Sequence, residues 1–511
     1  MTDVQEVAVR MDDALVPPPP AFVDPGRRST LATAFPEIDR IFAEFRERDR
    51  VPGVAYGVVI DGELAHHGGA GVRDVASGAP ADLDSVFRIA SMTKSLTAMC
   101  VLLLRDEGRL SLDDPVHAHV PELQRLPYPT RDSAAITVRQ LLSMASGLVT
   151  DDPWADRHLD AGDAEFSRWM EGGLAFTLPP GIAFEYSNFG YGILGRVVAN
   201  IAGQPARVFA QERVLEPLGM SSTTWDADRI PDDRVARGYR LEDASWVAES
   251  PLAHGALGTM GGLATSVRDY AKYVALHMAA WPPRDDPDDG PLRRSSLREM
   301  QQPWRDGPTF MSDGGGDAND EGTTVPRRWL SDGYGYGLTS GAQEGLGRIV
   351  SHSGGLPGFG THVRWLPDHG VGVMGFGNLT YVRSWNAVAQ AIDALAETGG
   401  LQPRVPQPAP ALGSARDVAI SLYERWDDDA AVAAAADNLF LDLSLERRRS
   451  ACAELRERCG AAVSVAAPRL SGALRGTWLV TCERGAIDVT VAMSPAVPPK
   501  VQTIEFERVV E

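Results

Sequence analysis

The sequence predicts an α+β fold over residues 31–400: a central antiparallel sheet flanked by helices, with an α-helical lobe inserted in it. A small, separate α+β domain is expected to follow at 412–511. Three observations carry this. Strand-like runs cluster near the two ends of 31–400, so one sheet has to be assembled from sequence-distant parts. Most of the chain between about 110 and 330 has helical periodicity instead. Finally, residues 401–411 hold Pro403, Pro406, Pro408 and Pro410 and read as a linker. A chain of 511 residues exceeds one ordinary core, which agrees with two domains.

Taken in order, residues 1–30, with Pro17 to Pro20 consecutive, read as a flexible lead-in. Phe35, Ile38, Ile41, Phe42 and Phe45 recur at helical spacing and predict an amphipathic helix. Residues 54–60 and 63–67 read as strands joined by Asp61-Gly62, a strong hairpin signal. His66 and His67 fall on opposite strand faces, which argues against a shared metal and for surface or packing roles. The run from Ser91 to Leu104, apolar after Ala90 and free of Gly and Pro, predicts a buried helix with Gly108 as its C-cap. Thr137 is expected to cap a helix in 136–144. Residues 191–201 and 266–280 give two more, the second with Asp269 in its first turn. Residues 306–327, with Gly314-Gly315-Gly316, read as a polar, mobile loop. Strands return at 347–352, then at 362–366 and 371–376 around Asp368-His369-Gly370, and a helix over Trp385–Glu397 ends the domain. Beyond the linker, helical segments at about 413–436 and 444–458 precede three short strands; this module carries no catalytic constellation.

Composition narrows the function. A formal charge of -20 argues against nucleic acid or an anionic membrane surface as partner. No apolar run reaches transmembrane length, and the acidic start Met1-Thr2-Asp3-Val4-Gln5-Glu6 has no apolar secretory core, so a cytoplasmic location is expected. The four cysteines, Cys100, Cys452, Cys459 and Cys482, lack metal-ligand spacing. Cys452 and Cys459 are two turns apart on a predicted helix, roughly 10 Å in rise, too far for a disulfide. Neither a metal nor a cofactor is expected.

The chemistry begins at Ser91. Lys94 lies three residues on, and residues i and i+3 share a helix face, so a hydroxyl and an amine stand side by side. A serine hydroxyl is a weak nucleophile at neutral pH, and a desolvated amine can take its proton. Free N–H groups at a helix start also favour developing negative charge. The chain has only three lysines, Lys94, Lys272 and Lys500, and only Lys94 has a serine three residues upstream.

Two further stretches reinforce this pair. Tyr186-Ser187-Asn188 lies in a loop ahead of a predicted helix, and His352-Ser353-Gly354-Gly355 ends a predicted strand. Read singly, Tyr186 could be a buried aromatic, Asn188 a helix N-cap, and Ser353-Gly354-Gly355 turn chemistry. In order, however, S-x-x-K, Y-x-N and K/H-[ST]-G resemble the three motifs of the serine β-lactamase and penicillin-binding-protein superfamily. The nearest branch is the class C β-lactamase-like one of esterases, D-aminopeptidases and D-Ala-D-Ala carboxypeptidases. The stretches 112–116, 141–148, 216–220 and 261–266 also look like that family.

The resemblance implies a β-lactamase-like two-lobe fold over roughly 30–400 and an acyl-enzyme mechanism. In it Ser91 would be the acylated nucleophile and Lys94 its activator. Tyr186 would be the general base or proton shuttle, its phenol drawn below the usual value of about 10 by Lys94. Asn188 would hydrogen-bond Lys94 and the substrate. The backbone N–H groups of Ser91 and Gly355 would form the oxyanion hole, on a strand edge made by His352, Ser353, Gly354 and Gly355. Class C β-lactamases carry lysine where His352 stands; a histidine largely neutral at pH 7 removes a fixed cation for a substrate carboxylate. Efficient β-lactamase activity is therefore ranked last. The expected substrate is a small ester, amide or D-amino-acid peptide. Transacylation, peptide cyclisation, and an inactive ligand-binding homologue are the alternatives, and homo-oligomer formation is left open.

Overall fold

A computed structural model describes residues 11–226, 229–312 and 328–509. They form two compact units, one of residues 24–403 and one joining 11–23 to 404–509. Most of the Gly-rich stretch expected as a mobile loop, residues 313–327, lies outside the described residues, as does the acidic start of the chain.

The larger unit is built on a nine-stranded antiparallel sheet. From one edge the order is Ala79–Pro80, Glu63–Asp74, Gly53–Ile60, Val371–Gly377, Phe359–Leu366, Gly347–Leu356, Thr339–Gln343, Arg328–Tyr334 and Arg305–Ser312. Gly53–Ile60 pairs with Val371–Gly377, Ala55 opposite Phe376 and Val59 opposite Gly372, so the two ends of the domain meet in one sheet as expected. The Asp61-Gly62 hairpin forms because both residues take positive φ, 53° and 84°, the twist that suits a two-residue turn.

All eight residues of Gly53–Ile60 are buried, because both sheet faces are covered; this is why the strand reads as a continuous apolar run. On one face the helices Phe35–Arg48 and Trp385–Glu397 pack Phe42, Phe45, Val388 and Leu395 against Val54, Val58 and Val373. On the other, helices Thr93–Asp106 and Val267–Ala279 pack Met99 and Val274 against Trp365, Met374 and Phe376. Thr137 does cap Val138–Leu142, in a capping box with Gln140.

Three strands beyond those anticipated extend the sheet at its far edge. Arg305–Ser312 runs into the stretch expected to be a loop; Gly307-Pro308 sits at a register shift between Asp306 and Thr309 on the edge strand, where proline is tolerated. The expected lead-in is also partly ordered. It holds a 3-10 turn, Asp13–Leu15, and the start of helix Arg27–Ala32, where the buried Arg27 guanidinium pairs with Asp61 at 2.9 Å.

The smaller unit has a five-stranded antiparallel sheet, two strands more than expected, with helices Pro410–Glu424, Asp428–Ala434, Leu439–Asp442 and Leu445–Cys459. Asp427 breaks the expected 413–436 helix by accepting hydrogen bonds from the N–H groups of Asp429 and Ala430. The core gathers Leu412, Ala419, Tyr423, Trp478 and Val489. All four cysteines of the chain are free and buried. Among the described residues, no helix is long and apolar enough to cross a membrane.

Candidate active site

The helix that carries Lys94 starts at a kink. Phe87–Arg88 pairs with Ala264–Thr265, and Ala90 then takes φ 49°, a left-handed conformation that costs an L-residue about 1–2 kcal/mol. The chain turns through the 3-10 segment Ala90–Met92 into Thr93–Asp106, leaving Ser91 partly exposed and Lys94 fully buried one turn on. The Lys94 Nζ lies 2.8 Å from Ser91 Oγ, 2.6 Å from Asn188 Oδ1 and 2.9 Å from the Met260 carbonyl. The glycine-rich segment Gly258–Gly261 forms a helical turn whose Met260 carbonyl serves this lysine. Thr97 Oγ1, donating to the Thr259 carbonyl at 2.7 Å, holds it in place.

These partners decide how Lys94 can act. Two of the three are carbonyl oxygens and can only accept. A neutral amine has two hydrogens and one lone pair, so with its hydrogens on Asn188 and Met260 the lone pair faces Ser91 Oγ. Burial draws the amine down to about 8, against the upward pull of Asp152, Asp156 and Asp151. A tenth or so of the protein then carries the free amine at pH 7.

Tyr186 is a hydrogen-bond neighbour of Ser91. Lys94 Nζ lies 5.0 Å from its ring centroid. The expectation that this cation lowers the phenol is overturned. Burial raises the Tyr186 hydroxyl well above its ordinary value, and the Asp152 and Asp156 charges push the same way. Tyr186 is a neutral phenol at rest, able to pass a proton but not to wait as a phenolate.

Asn188 is the first residue of helix Asn188–Ala202 and not its cap; Ser187 takes that role, accepting from the Gly190 N–H at 3.2 Å. Its side chain bridges Lys94 Nζ to Asp152 Oδ1. His352 is buried. Its Nδ1 donates to the Ser353 carbonyl at 2.6 Å, while Tyr334 donates to Nε2 at 3.1 Å. Burial, then the Lys94 charge, lowers it to about 4, so it is neutral at pH 7, as the sequence suggests. Ser353 is exposed, and its Oγ meets the buried His362 Nδ1 at 2.8 Å. Ser91, Tyr186, His352, Ser353 and Gly355 all line one cleft of about 590 Å³.

A family model described as Beta-lactamase matches residues 38–397. The chain belongs to the beta-lactamase family. Protein flp of Staphylococcus aureus (strain MW2) is 30% identical over 217 residues, 42% of this chain and 43% of that protein, so the match spans less than half of that relative's length. The D-alanyl-D-alanine-carboxypeptidase/endopeptidase AmpH of Escherichia coli (strain K12) is 27% identical over 318 residues, 62% of this chain and 76% of AmpH. Among solved structures, the octameric penicillin-binding protein homologue from Pyrococcus abyssi is 21% identical, with a TM-score of 0.59 over 90% of this chain and 96% of that one; it shows the shared fold.

In this beta-lactamase-family cleft the glycines of the third motif have a steric reason. A Cβ on Gly354 would stand 2.1 Å from the Ile89 carbonyl oxygen and 2.5 Å from Thr361 Oγ1. Only glycine lets the strand lie against the turn that carries Ser91. Gly354→Ala is therefore expected to destabilise the fold by about 1–3 kcal/mol. It should also lower kcat tenfold or more, since a displacement of about 1 Å can cost roughly 10²-fold. Thermal unfolding and ester kinetics check both.

Sequence reasoning missed Asp151, Asp152, Asp156, Tyr334 and Tyr381. Asp151 accepts from the Asn188 and Phe189 N–H groups at 2.8 and 2.7 Å and so anchors the helix start. Burial, then Asp152, raises Asp156 to about 6; Tyr381 donates to its Oδ2 at 3.0 Å. The available signal was the acidic run Asp151-Asp152-Pro153 after the family-like 141–148 stretch.

Proposed function

We propose that this chain is a cofactor-independent serine hydrolase that works through an acyl-enzyme on Ser91, cleaving small carboxylic esters or D-amino-acid-type amides. The observation that carries the reading is the buried Lys94 amine, 2.8 Å from Ser91 Oγ and held from its other sides by two carbonyl acceptors. In acylation Ser91 Oγ attacks the substrate carbonyl carbon and its proton passes to Lys94. The oxyanion is held by the Ser91 and Gly355 N–H groups. As the tetrahedral adduct collapses, the alkoxide or amine leaves with that proton, relayed through the Tyr186 hydroxyl. Water then attacks the acyl-enzyme, releasing the acid and restoring Ser91–OH. Removing one oxyanion donor typically costs about 3 kcal/mol.

Lys94 acts as a base only when uncharged. Below pH 8 the free-amine fraction falls tenfold per unit, and above it the fraction saturates. The kcat/KM profile on a neutral ester is expected to climb through pH 6–7 and level off above about 9, with an apparent midpoint near 8. A profile already flat at pH 6 would remove Lys94 from the base role.

A substrate panel tests the reaction class. Short-chain p-nitrophenyl esters are expected to turn over measurably and nitrocefin slowly or not at all, because neutral His352 offers no cation to its carboxylate. Rapid nitrocefin hydrolysis with silent esters would contradict the reading. Comparison of D-alanine p-nitroanilide with D-Ala-D-Ala peptides then separates aminopeptidase from carboxypeptidase action.

A further inference from the structure

The ionisable groups lining the cleft are one-sided. Asp152 and Asp156 stand in its wall, with His352 neutral and no arginine or lysine among the lining residues. Lys94 lies behind Ser91, wholly buried, with its hydrogen-bonding positions taken by protein groups. Arg157, beside Asp156 in sequence, is about half exposed and faces Glu249 at 3.8 Å.

Each carboxylate is fixed through one oxygen and has capacity left on the other. Asp156, only 3% exposed, has Oδ2 held by Tyr381, which is itself set at φ 53°. Asp152, exposed to the cleft, has Oδ1 held by the Asn188 amide. Neither Asp156 Oδ1 nor Asp152 Oδ2 makes a hydrogen bond among the described residues. A substrate carboxylate would meet like charge here, whereas an ammonium would meet two preoriented acceptors and form charge-assisted hydrogen bonds.

We propose that the cleft selects substrates bearing a primary ammonium close to the scissile carbonyl, and that Asp152 and Asp156 hold that group. This rests on the serine-hydrolase reading and narrows its substrate class to cationic aminoacyl derivatives. If the two carboxylates served only to offset the Lys94 charge, their loss would affect all ligands alike.

The test is protection of Ser91 from a neutral fluorophosphonate, followed by intact mass at neutral pH. The protectants are D-alaninamide, N-acetyl-D-alaninamide and N-succinyl-D-alaninamide, which are cationic, neutral and anionic. D-alaninamide is expected to protect at concentrations at least about tenfold lower than the acetyl form, with the succinyl form weakest. Asp156→Asn and Asp152→Asn should each shrink that ratio to within about threefold, and Asp156→Glu should recover part of it. The labelling itself reports an intact nucleophile in each variant. Equal protection by the three ligands in the wild type, with Ser91 still labelled, overturns the inference and leaves the hydrolase reading standing. A wild-type preference unchanged in both Asn variants overturns the assignment to these residues. An unlabelled Ser91 overturns both readings; a variant that fails to fold leaves the wild-type comparison to decide.

Discussion

Replacing Ser91 by alanine is expected to lower kcat/KM on short-chain esters by roughly 10⁶-fold, the order associated with deleting a serine nucleophile. The change removes Oγ alone. Ser91 is partly exposed, and among the described residues its hydroxyl bonds with Lys94 and neighbours Tyr186, so the fold has little to lose. Backbone donors and the cleft remain, and a residual rate above that in water should survive through them. Substrate affinity should change little, which separates this variant from one that distorts the cleft. The measurement is steady-state ester hydrolysis together with the melting temperature: activity lost, melting within a few degrees.

Lys94→Met is expected to slow acylation by about 10²–10⁴-fold, the usual contribution of a positioned general base. Methionine matches the length of the lysine stem but has no lone pair of comparable basicity. Two opposing effects act on stability. Asn188 Oδ1 and the Met260 carbonyl lose a donor, each at a cost of about 1–3 kcal/mol, while a buried amine no longer has to be desolvated. Lys94→Arg separates charge from basicity, because a guanidinium stays protonated. If Lys94 is the base, both variants lose the rise in rate near pH 8, and arginine rescues nothing. Rescue by arginine would mean that only the positive charge matters. Pre-steady-state release of p-nitrophenol, read across pH, distinguishes the two.

The local part of this site was legible because helices have a fixed period. Ser91 and Lys94 are three apart, and a Gly- and Pro-free apolar run said they share a buried helix. The Ser91–Lys94 pair, the Tyr186–Asn188 stretch and His352 are far apart in sequence, and nothing in their spacing says that they converge; the order of three motifs did. The desolvation of the Tyr186 phenol escaped the reading. Lys94 lies against the Tyr186 ring, but a sequence gives no measure of desolvation, and desolvation sets the sign of the phenol's shift. Asp152, in a loop, and Asp156, in the one-turn helix Trp154–Arg157, escaped for a related reason, since charges in such short segments usually face water and carry no period. The fold divides the same way. The 53–60 and 371–377 strands announced themselves as apolar runs covered on both faces, whereas Arg305–Ser312, an edge strand of mixed residues with Gly307-Pro308 inside it, shows no alternation.

The account stands on Ser91 being the residue that takes the acyl group. Intact mass after incubation with a fluorophosphonate, followed by peptide mapping, tests this most directly. One adduct per chain, located on Ser91, absent from Ser91→Ala and forming far more slowly in Lys94→Met, is the predicted result. An adduct elsewhere in the chain, or one that persists in Ser91→Ala, would contradict it.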